Sequence, residues 1–450
     1  MQKIVVVGGG FSGSSAAACA RNAGAEVTLI ERTDHLLGLG IQSGLYYNDG
    51  RMAAVEELRA VGGSYIINIL ESPEVLTHPR LEMNWAAADA LQHRPREQHI
   101  FHCARAETHI RDYLREIGVN IIFEKTAVDV EVGRPQNNTG NRLVAIKLND
   151  GQRLEADAWV DTSGGAGGRQ ICIDYGYGCV ECELRCNTYG DRVSIATKAG
   201  APELRKLRDA EHGGGFGALS SQLSFYDDSI DPKLLKELKE NGTAHVEVPP
   251  EVRNFLKVGL STSMPYDPSH VKIIKFAYPG FVKANGMVYM PLEDVRRIPG
   301  FKHARMCDPF GGGVGNAVRF MSMAPRENSL RVYGFSNLFV GGEKSGPNVG
   351  IQEAVITGAL AGHNAARTAF NKDLLVLPPT TLIGDFLAFV QEMMQSETGL
   401  MRTYAMFKPP YRMRMAQKGW WAKTVSQAIE ESKQRIEAAG LTGVMAQKLT

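Results

Sequence analysis

The chain opens on an apolar run, Ile4-Val5-Val6-Val7, that ends directly at Gly8. An unbroken run of β-branched residues predicts a parallel strand buried on both faces. Residues 12–23 are small and predict a helix, and Glu26–Ile30 predicts a second strand. Apolar positions at helical spacing over 107–118, closed by Gly118, predict another helix before a strand at Val119–Phe123. Further strands are expected at 126–132, 143–148 and 153–155, the last two joined by the Asn149-Asp150-Gly151 turn. Trp159-Val160-Asp161 is a strand running into small residues. From about 170 to 315 short strands mix with a charged helical piece at 231–241. The opening texture returns at Leu338-Phe339-Val340, followed by an alanine-rich helix from Gln352 to Phe370, and the chain after Pro378-Pro379 reads as helical.

Composition narrows this picture. The 450 residues are 44% hydrophobic and 22% charged, ordinary for a globular chain of more than one domain. A net charge of +1 supplies no global field toward nucleic acid or membrane. No basic leader with an apolar core is seen, and no apolar run approaches ~18 residues, so a cytoplasmic chain with no membrane partner is expected. Seven cysteines, an odd number, argue against a disulfide framework. The 48 glycines gather in loops, which suits backbone that approaches a ligand closely.

The first cluster is Gly8-x-Gly10-x-x-Gly13, with Phe11 and Ser12 inside it. It follows a strand and opens a helix. The first glycine permits a tight turn, the second lets a pyrophosphate approach the backbone, and the third lets helix and strand pack closely. The helix start adds N–H donors and a positive dipole end. Glu31, at the end of the second strand, is placed to accept from ribose hydroxyls. Arg32 beside it and Val128 in the later strand are further candidates for nucleotide contact. Two later segments decide for FAD over NAD. Asp161-Thr162-Ser163-Gly164 resembles the strand-and-turn element of two-dinucleotide-binding-domain flavoproteins. Gly342-Glu343 and Asn348-Val349-Gly350, followed by a helix, resemble the late FAD motif, whose helix start faces the flavin pyrimidine.

Together these segments resemble the GidA/TrmFO and FixC-like flavoprotein superfamily. The stretch from Leu338 through Gly358-Ala359-Leu360-Ala361-Gly362-His363-Asn364-Ala365-Ala366 is most similar to the GidA side. The resemblance implies an FAD-dependent oxidoreductase and is silent on its substrate. It also implies an alternative, a GidA-like enzyme of tRNA modification. Gly342-Glu343 departs from the Gly-Asp of many relatives and is shared with fumarate-reductase-like flavoproteins.

The expected fold is α/β: a Rossmann-type FAD-binding domain over 1–168 and 316–375, an inserted mixed α/β substrate domain over 169–315, and a helical region over 376–450. The expected chemistry is electron or hydride transfer between flavin and a small organic or thiol substrate, with NAD(P)H as a candidate reductant. An electron-transfer subunit serving a protein partner is the non-enzyme alternative.

Cys172, Cys179, Cys182 and Cys186 form C-x6-C-x2-C-x3-C. Such spacing suits a [4Fe-4S] cluster, zinc, thiols that exchange electrons with the flavin, or ordinary cysteines, and these readings stay open. Cys179 and Cys182 are therefore catalytic candidates as well as ligand candidates. Cys307, before Gly311-Gly312-Gly313, is a candidate nucleophile or acid, or else a small buried hydrophobe. With a helix over 103–116, Arg105 and His109 share a face that suits an anion or plain solvent, and Tyr266, His270 and Tyr278 are candidates for a substrate pocket. Lys344 would raise the potential of a nearby flavin, or form a surface ion pair. Residues 400–450 hold nine Lys/Arg against three Glu, with interleaved Tyr404, Phe407, Tyr411, Trp420 and Trp421. That composition suits RNA contact, and suits better an amphipathic helical tail packing in a homo-oligomer.

Overall fold

The computed structural model describes residues 2–38, 45–48, 54–76, 81–83, 96–133, 140–165, 193–208, 215–220, 222–241, 243–252, 270–275, 281–285, 292–306, 317–319, 321–406, 410–420 and 425–449.

The apolar runs assemble one parallel sheet. Its strands are β1 (Lys3–Val7), β2 (Glu26–Ile30), β3 (Asn120–Ile122), β4 (Ala158–Asp161) and β5 (Leu338–Val340), in the order β5-β4-β1-β2-β3. Every pairing is parallel. The alternation along β1 explains why all its apolar residues are buried. Ile4 and Val6 face the helical core, whereas Val5 and Val7 face a second cluster with Trp159, Leu338 and Val340.

Helix α1 (Phe11–Asn22) follows β1, and α2 (Val55–Val61) and α3 (Cys103–Glu116) pack on the same side. The α3 helix has the wider of the two expected ranges, 103–116, with Cys103 and Ala106 buried on its inner face ahead of the apolar spacing at 107. Gly118, at φ +86°, stops it as expected. Arg105 and His109 are both exposed, the solvated outcome for that face. Helix α4 (Ile351–Ala369) lies against α1 so closely that glycine is required. A Cβ on Gly358 would stand 2.1 Å from the Ser12 carbonyl oxygen, and one on Gly362 2.1 Å from that of Ala16.

The other face of the sheet is covered by an antiparallel sheet of Ala127–Gly133, Arg142–Leu148 and Arg153–Glu155. Trp159 Nε1 donates to the Leu143 carbonyl across this contact at 2.9 Å. Between β4 and β5 the chain forms a four-stranded antiparallel sheet from Gln222–Tyr226, Phe281–Asn285, His270–Lys275 and Thr243–Glu247. With the helix Pro232–Asn241 it encloses its own core, including Phe225, Leu238 and Phe301.

The last helices, α5 (Leu382–Met393), α6 (Tyr411–Gln417) and α7 (Val425–Ala438), join the main core through Ile383, Phe386, Tyr411 and Ile436. Two buried carboxylates fasten them. Glu57 on α2 accepts from the N–H groups of Leu382 (2.8 Å) and Ile383 (2.9 Å) and from Arg435 Nε (2.7 Å). Asp385 accepts from Tyr411, from both arms of Arg414 and from Lys418. Lys418 and Arg435 also lie over the Trp420 ring. Part of the basic, aromatic composition of the tail is thus engaged within the chain. Among the described residues no helix is long and apolar enough to cross a membrane.

Candidate functional site

Four strands of the parallel sheet end at one edge, and each of the expected FAD segments begins there. Gly8 ends β1, Glu31 ends β2, Thr162 follows β4 and Gly341 follows β5. Ligands of open α/β sheets bind at this carboxyl edge, where neighbouring connections run in opposite directions.

The glycine turn has a separate reason at each position. Gly8 has φ +101°, and a Cβ there would meet the Thr162 carbonyl oxygen at 2.5 Å. At Gly13 a Cβ would fall 1.7 Å from the Gly8 carbonyl oxygen, so helix and strand close only over glycine. At Gly10 nothing lies within 4 Å. The protein itself does not need glycine there, and the open space suits a ligand that approaches the backbone. The first intrahelical bond runs from Ser14 N–H to the Gly10 carbonyl (2.9 Å), which leaves the preceding N–H groups at the open helix end. Ser12 Oγ is buried beside them and has no hydrogen-bond partner.

Glu31 is 5% exposed. Its Oε2 accepts from Gly9 N–H at 2.7 Å, and its Oε1 accepts from Thr33 N–H (2.9 Å) and Thr33 Oγ1 (3.0 Å). The carboxylate therefore holds the glycine turn. Arg32 is half-buried next to it. Val128 is half-buried at a register irregularity between Ala127 and Asp129. Its strand begins beside β2, since Lys125 N–H donates to the Glu31 carbonyl (3.1 Å).

The Asp161 carboxylate is fully buried and fixes the second turn. Its Oδ1 accepts from Ser163 N–H (3.0 Å) and Ser163 Oγ (2.6 Å), its Oδ2 from Ser194 Oγ (2.7 Å) and Ala196 N–H (2.9 Å). Thr162 Oγ1 donates toward the Val7 and Gly8 carbonyls (2.9 and 2.8 Å), tying this turn to the glycine turn. Gly164, at φ +65°, continues it.

After β5, Gly342 takes φ +63° with its N–H on Thr357 Oγ1 (2.8 Å). Glu343 opens a 3-10 turn, Gly342–Ser345, in which Lys344 is fully buried and Arg326 donates to the Ser345 carbonyl (3.0 Å). Lys344 is therefore an interior cation and not a surface one. Arg326 is itself fully buried, and burial lowers its pKa to about 10. Gly350, at φ +144°, delivers the chain into α4. Asn348, Val349 and Gly350 surround that helix start. Asn348 Oδ1 is buried without a partner, as are Gln352 Nε2 and Thr403 Oγ1.

Level with Ser12 at Gly358, α4 runs back seven residues to Ile351, about 10 Å beyond the start of α1. Two helix starts thus face one cleft edge at staggered depth. The donors at α1 suit a pyrophosphate, and those at α4 a ring that gathers negative charge when reduced. The unpartnered polar atoms at both ends and the open space at Gly10 fit extended FAD.

Gln352 and Thr403 were not among the expected site residues. Gln352 left a weak trace, an amide on an otherwise apolar helix face, and Thr403 left none. Cys172, Cys179, Cys182, Cys186 and Cys307 lie outside the described residues, as do Tyr266, Tyr278 and the side chain of His270. Among the described residues no group of three or more His, Cys, Asp or Glu is arranged for a metal ion.

The sequence model of the family "FAD dependent oxidoreductase" matches residues 3–167, and that of "Glucose inhibited division protein A" matches residues 280–373. Among solved structures, GidA from Aquifex aeolicus is similar in two crystal forms. Form II is 16% identical with a TM-score of 0.64, covering 97% of this chain and 75% of that one. Form I is 15% identical with a TM-score of 0.64, covering 97% and 78%. At this identity the structural likeness establishes the fold, and the two sequence matches cover the segments that end at the sheet edge where FAD is expected. The chain is an FAD-dependent oxidoreductase with a GidA-like fold.

Proposed function

We propose that the chain transfers electrons or hydride between bound FAD and a small organic or thiol substrate presented by the inserted region 169–315. The supporting observation is where that region packs. Its early residues pack on the FAD-binding sheet, Ser194 Oγ and Ala196 N–H holding the Asp161 carboxylate beside Thr162, Ser163 and Gly164, and the residues from Phe225 to Ala304 form a body with its own core. This contact favours a substrate presented next to the turn that Thr162, Ser163 and Gly164 form.

FAD, when bound, supplies reversible two-electron chemistry. The chain's own residues supply the rest. The α1 start, Gly10 and Ser12 hold the pyrophosphate. Glu31 and Arg32, with Val128, hold the adenosine side, and Thr162, Ser163 and Gly164 line the turn between the two halves. Gly342, Glu343, Asn348, Val349 and Gly350 hold the flavin side, where the α4 start and buried Lys344 favour negative charge. Cys307, Cys179 and Cys182 are the proposed reacting thiols. Cys172, Cys179, Cys182 and Cys186 are alternatively proposed as [4Fe-4S] ligands, and NAD(P)H as the reductant.

An anaerobic preparation tests this reading. Flavin absorbance should bleach on adding NADH or NADPH and return with a disulfide or organic acceptor. Iron and sulfide analysis then separates a cluster from thiol chemistry. No bleaching by any reductant, or no reoxidation by any small acceptor, would sink the proposal. The tRNA alternative is disfavoured by the engagement of Arg414, Lys418 and Arg435 with Asp385 and Glu57 inside the chain. Tight tRNA binding that weakens steeply with salt would revive it.

A further inference from the structure

The first turn of α4 holds an amide that the protein does not use. Gln352 is 2% exposed, and its Nε2 has no hydrogen-bond partner. Its side chain folds back over the helix start: a Cβ built at Gly350 would lie 3.4 Å from Gln352 Oε1. Native structures pair buried polar groups, with a ligand or water where protein is lacking.

Two more buried groups without partners stand on neighbouring segments. Asn348 Oδ1 is on the loop entering α4, and Thr403 Oγ1 is on the strap after α5; both residues are 2% exposed. The segments are zipped together, Tyr404 N–H donating to the Pro347 carbonyl (2.8 Å) and Val349 N–H to the Tyr404 carbonyl (2.9 Å). Met406 N–H completes the strap on Glu353 Oε1 (2.7 Å). An unpaired donor, an unpaired acceptor and a hydroxyl that is either therefore border one helix start.

We infer that Gln352 is a positioning residue for the flavin ring, its Nε2–H donating to a carbonyl oxygen on the pyrimidine side of the isoalloxazine. That edge alternates acceptor, donor and acceptor, so a side-chain donor beside the helix start complements it. The inference rests on the FAD reading, and it adds a residue that the glycine motifs do not contain. The amide orients the ring and contributes to the preference for its reduced form.

Gln352→Leu and Gln352→Glu, with the wild-type chain, test this. The measurements are thermal unfolding of the apo-protein, FAD titration by fluorescence, and the flavin midpoint potential. Because the amide has no protein partner, Gln352→Leu apo-protein should unfold no earlier than wild type. Its FAD dissociation constant should rise about tenfold, the effect of one lost hydrogen bond. Gln352→Glu, an acceptor where a donor is needed, should weaken oxidised FAD binding at least as much and shift the midpoint to a lower potential, since a carboxylate opposes reduced flavin. Wild-type protein that binds no FAD would overturn the cofactor reading itself. Wild-type affinity, spectrum and potential in Gln352→Leu would overturn this inference alone, as would an apo-protein destabilised by that change.

Discussion

The backbone N–H of Gly9 donates to Glu31 Oε2 at 2.7 Å, joining the glycine turn after β1 to the end of β2 across 22 residues. The carboxylate proposed to meet a ribose is thus also a strut of the glycine turn. Glu31→Ala should lower stability by about 1–3 kcal/mol, because it leaves the Gly9 and Thr33 donors unpaired. It should also weaken FAD by more than the loss of one contact, since the turn relaxes. Denaturant unfolding of the apo-protein and FAD titration measure the two effects, and an unchanged unfolding midpoint would refute the strut.

The contact of α4 with α1 gives a steric prediction. Gly358→Ala places a Cβ 2.1 Å from the Ser12 carbonyl oxygen, which belongs to backbone and cannot swing away. Overpacking of this kind costs about 1–3 kcal/mol. Moving α1 also moves its N–H donors, so stability and FAD affinity should fall together. Apo-protein as stable as wild type would show that the helices are not in this contact.

Arg435 and Glu57, 378 residues apart, form the clasp of the C-terminal helices. Burial pushes the Glu57 carboxyl above its ordinary value of 4.5, against the pull of Arg435 and the two N–H groups. A carboxyl raised in the fold favours stability below its ordinary value, and this is lost as pH rises through the folded value. Arg435→Met removes the cation that limits that loss, and a buried unpaired carboxylate costs about 3–5 kcal/mol. The variant should therefore be much less stable than wild type near neutral pH, with the gap narrowing toward pH 4.5. A gap that does not change with pH would contradict this assignment.

His363 sits fully buried on α4, and neither ring nitrogen has a partner. Burial, with a smaller push from Arg367, lowers its pKa from 6.5 to about 4. The unfolded chain then binds the proton first, so stability falls as pH drops from 6.5 toward 4, by about 3 kcal/mol at most. His363→Leu should flatten that limb of the stability curve. Parallel curves for the two proteins over this range would remove His363 as its source.

The FAD half of the fold was legible because its signals are local. An unbroken apolar run, three spaced glycines and an acidic residue after the next strand lie within one short βαβ unit. The same holds from Leu338 into α4. For α3 the apolar spacing alone marked only 107–118, because Cys103 and Ala106 are too small to stand out; the wider reading, 103–116, matches the helix. Pairs such as Glu57 with Arg435 leave no local pattern, so the tail read as a basic surface although three of its cations face buried carboxylates. Gln352 and Thr403 were hidden for a related reason. A polar group that waits for a ligand looks, along the chain, like any other polar group.

Gly10→Ala tests the central claim most directly. Gly10 has φ −62°, which alanine adopts freely, and its Cβ would meet no protein atom within 4 Å. The apo-protein should unfold within about 0.5 kcal/mol of wild type. If pyrophosphate lies against this turn, the FAD dissociation constant should nevertheless rise about tenfold or more, ~1.4 kcal/mol. FAD bound by Gly10→Ala as tightly as by wild type would contradict the account.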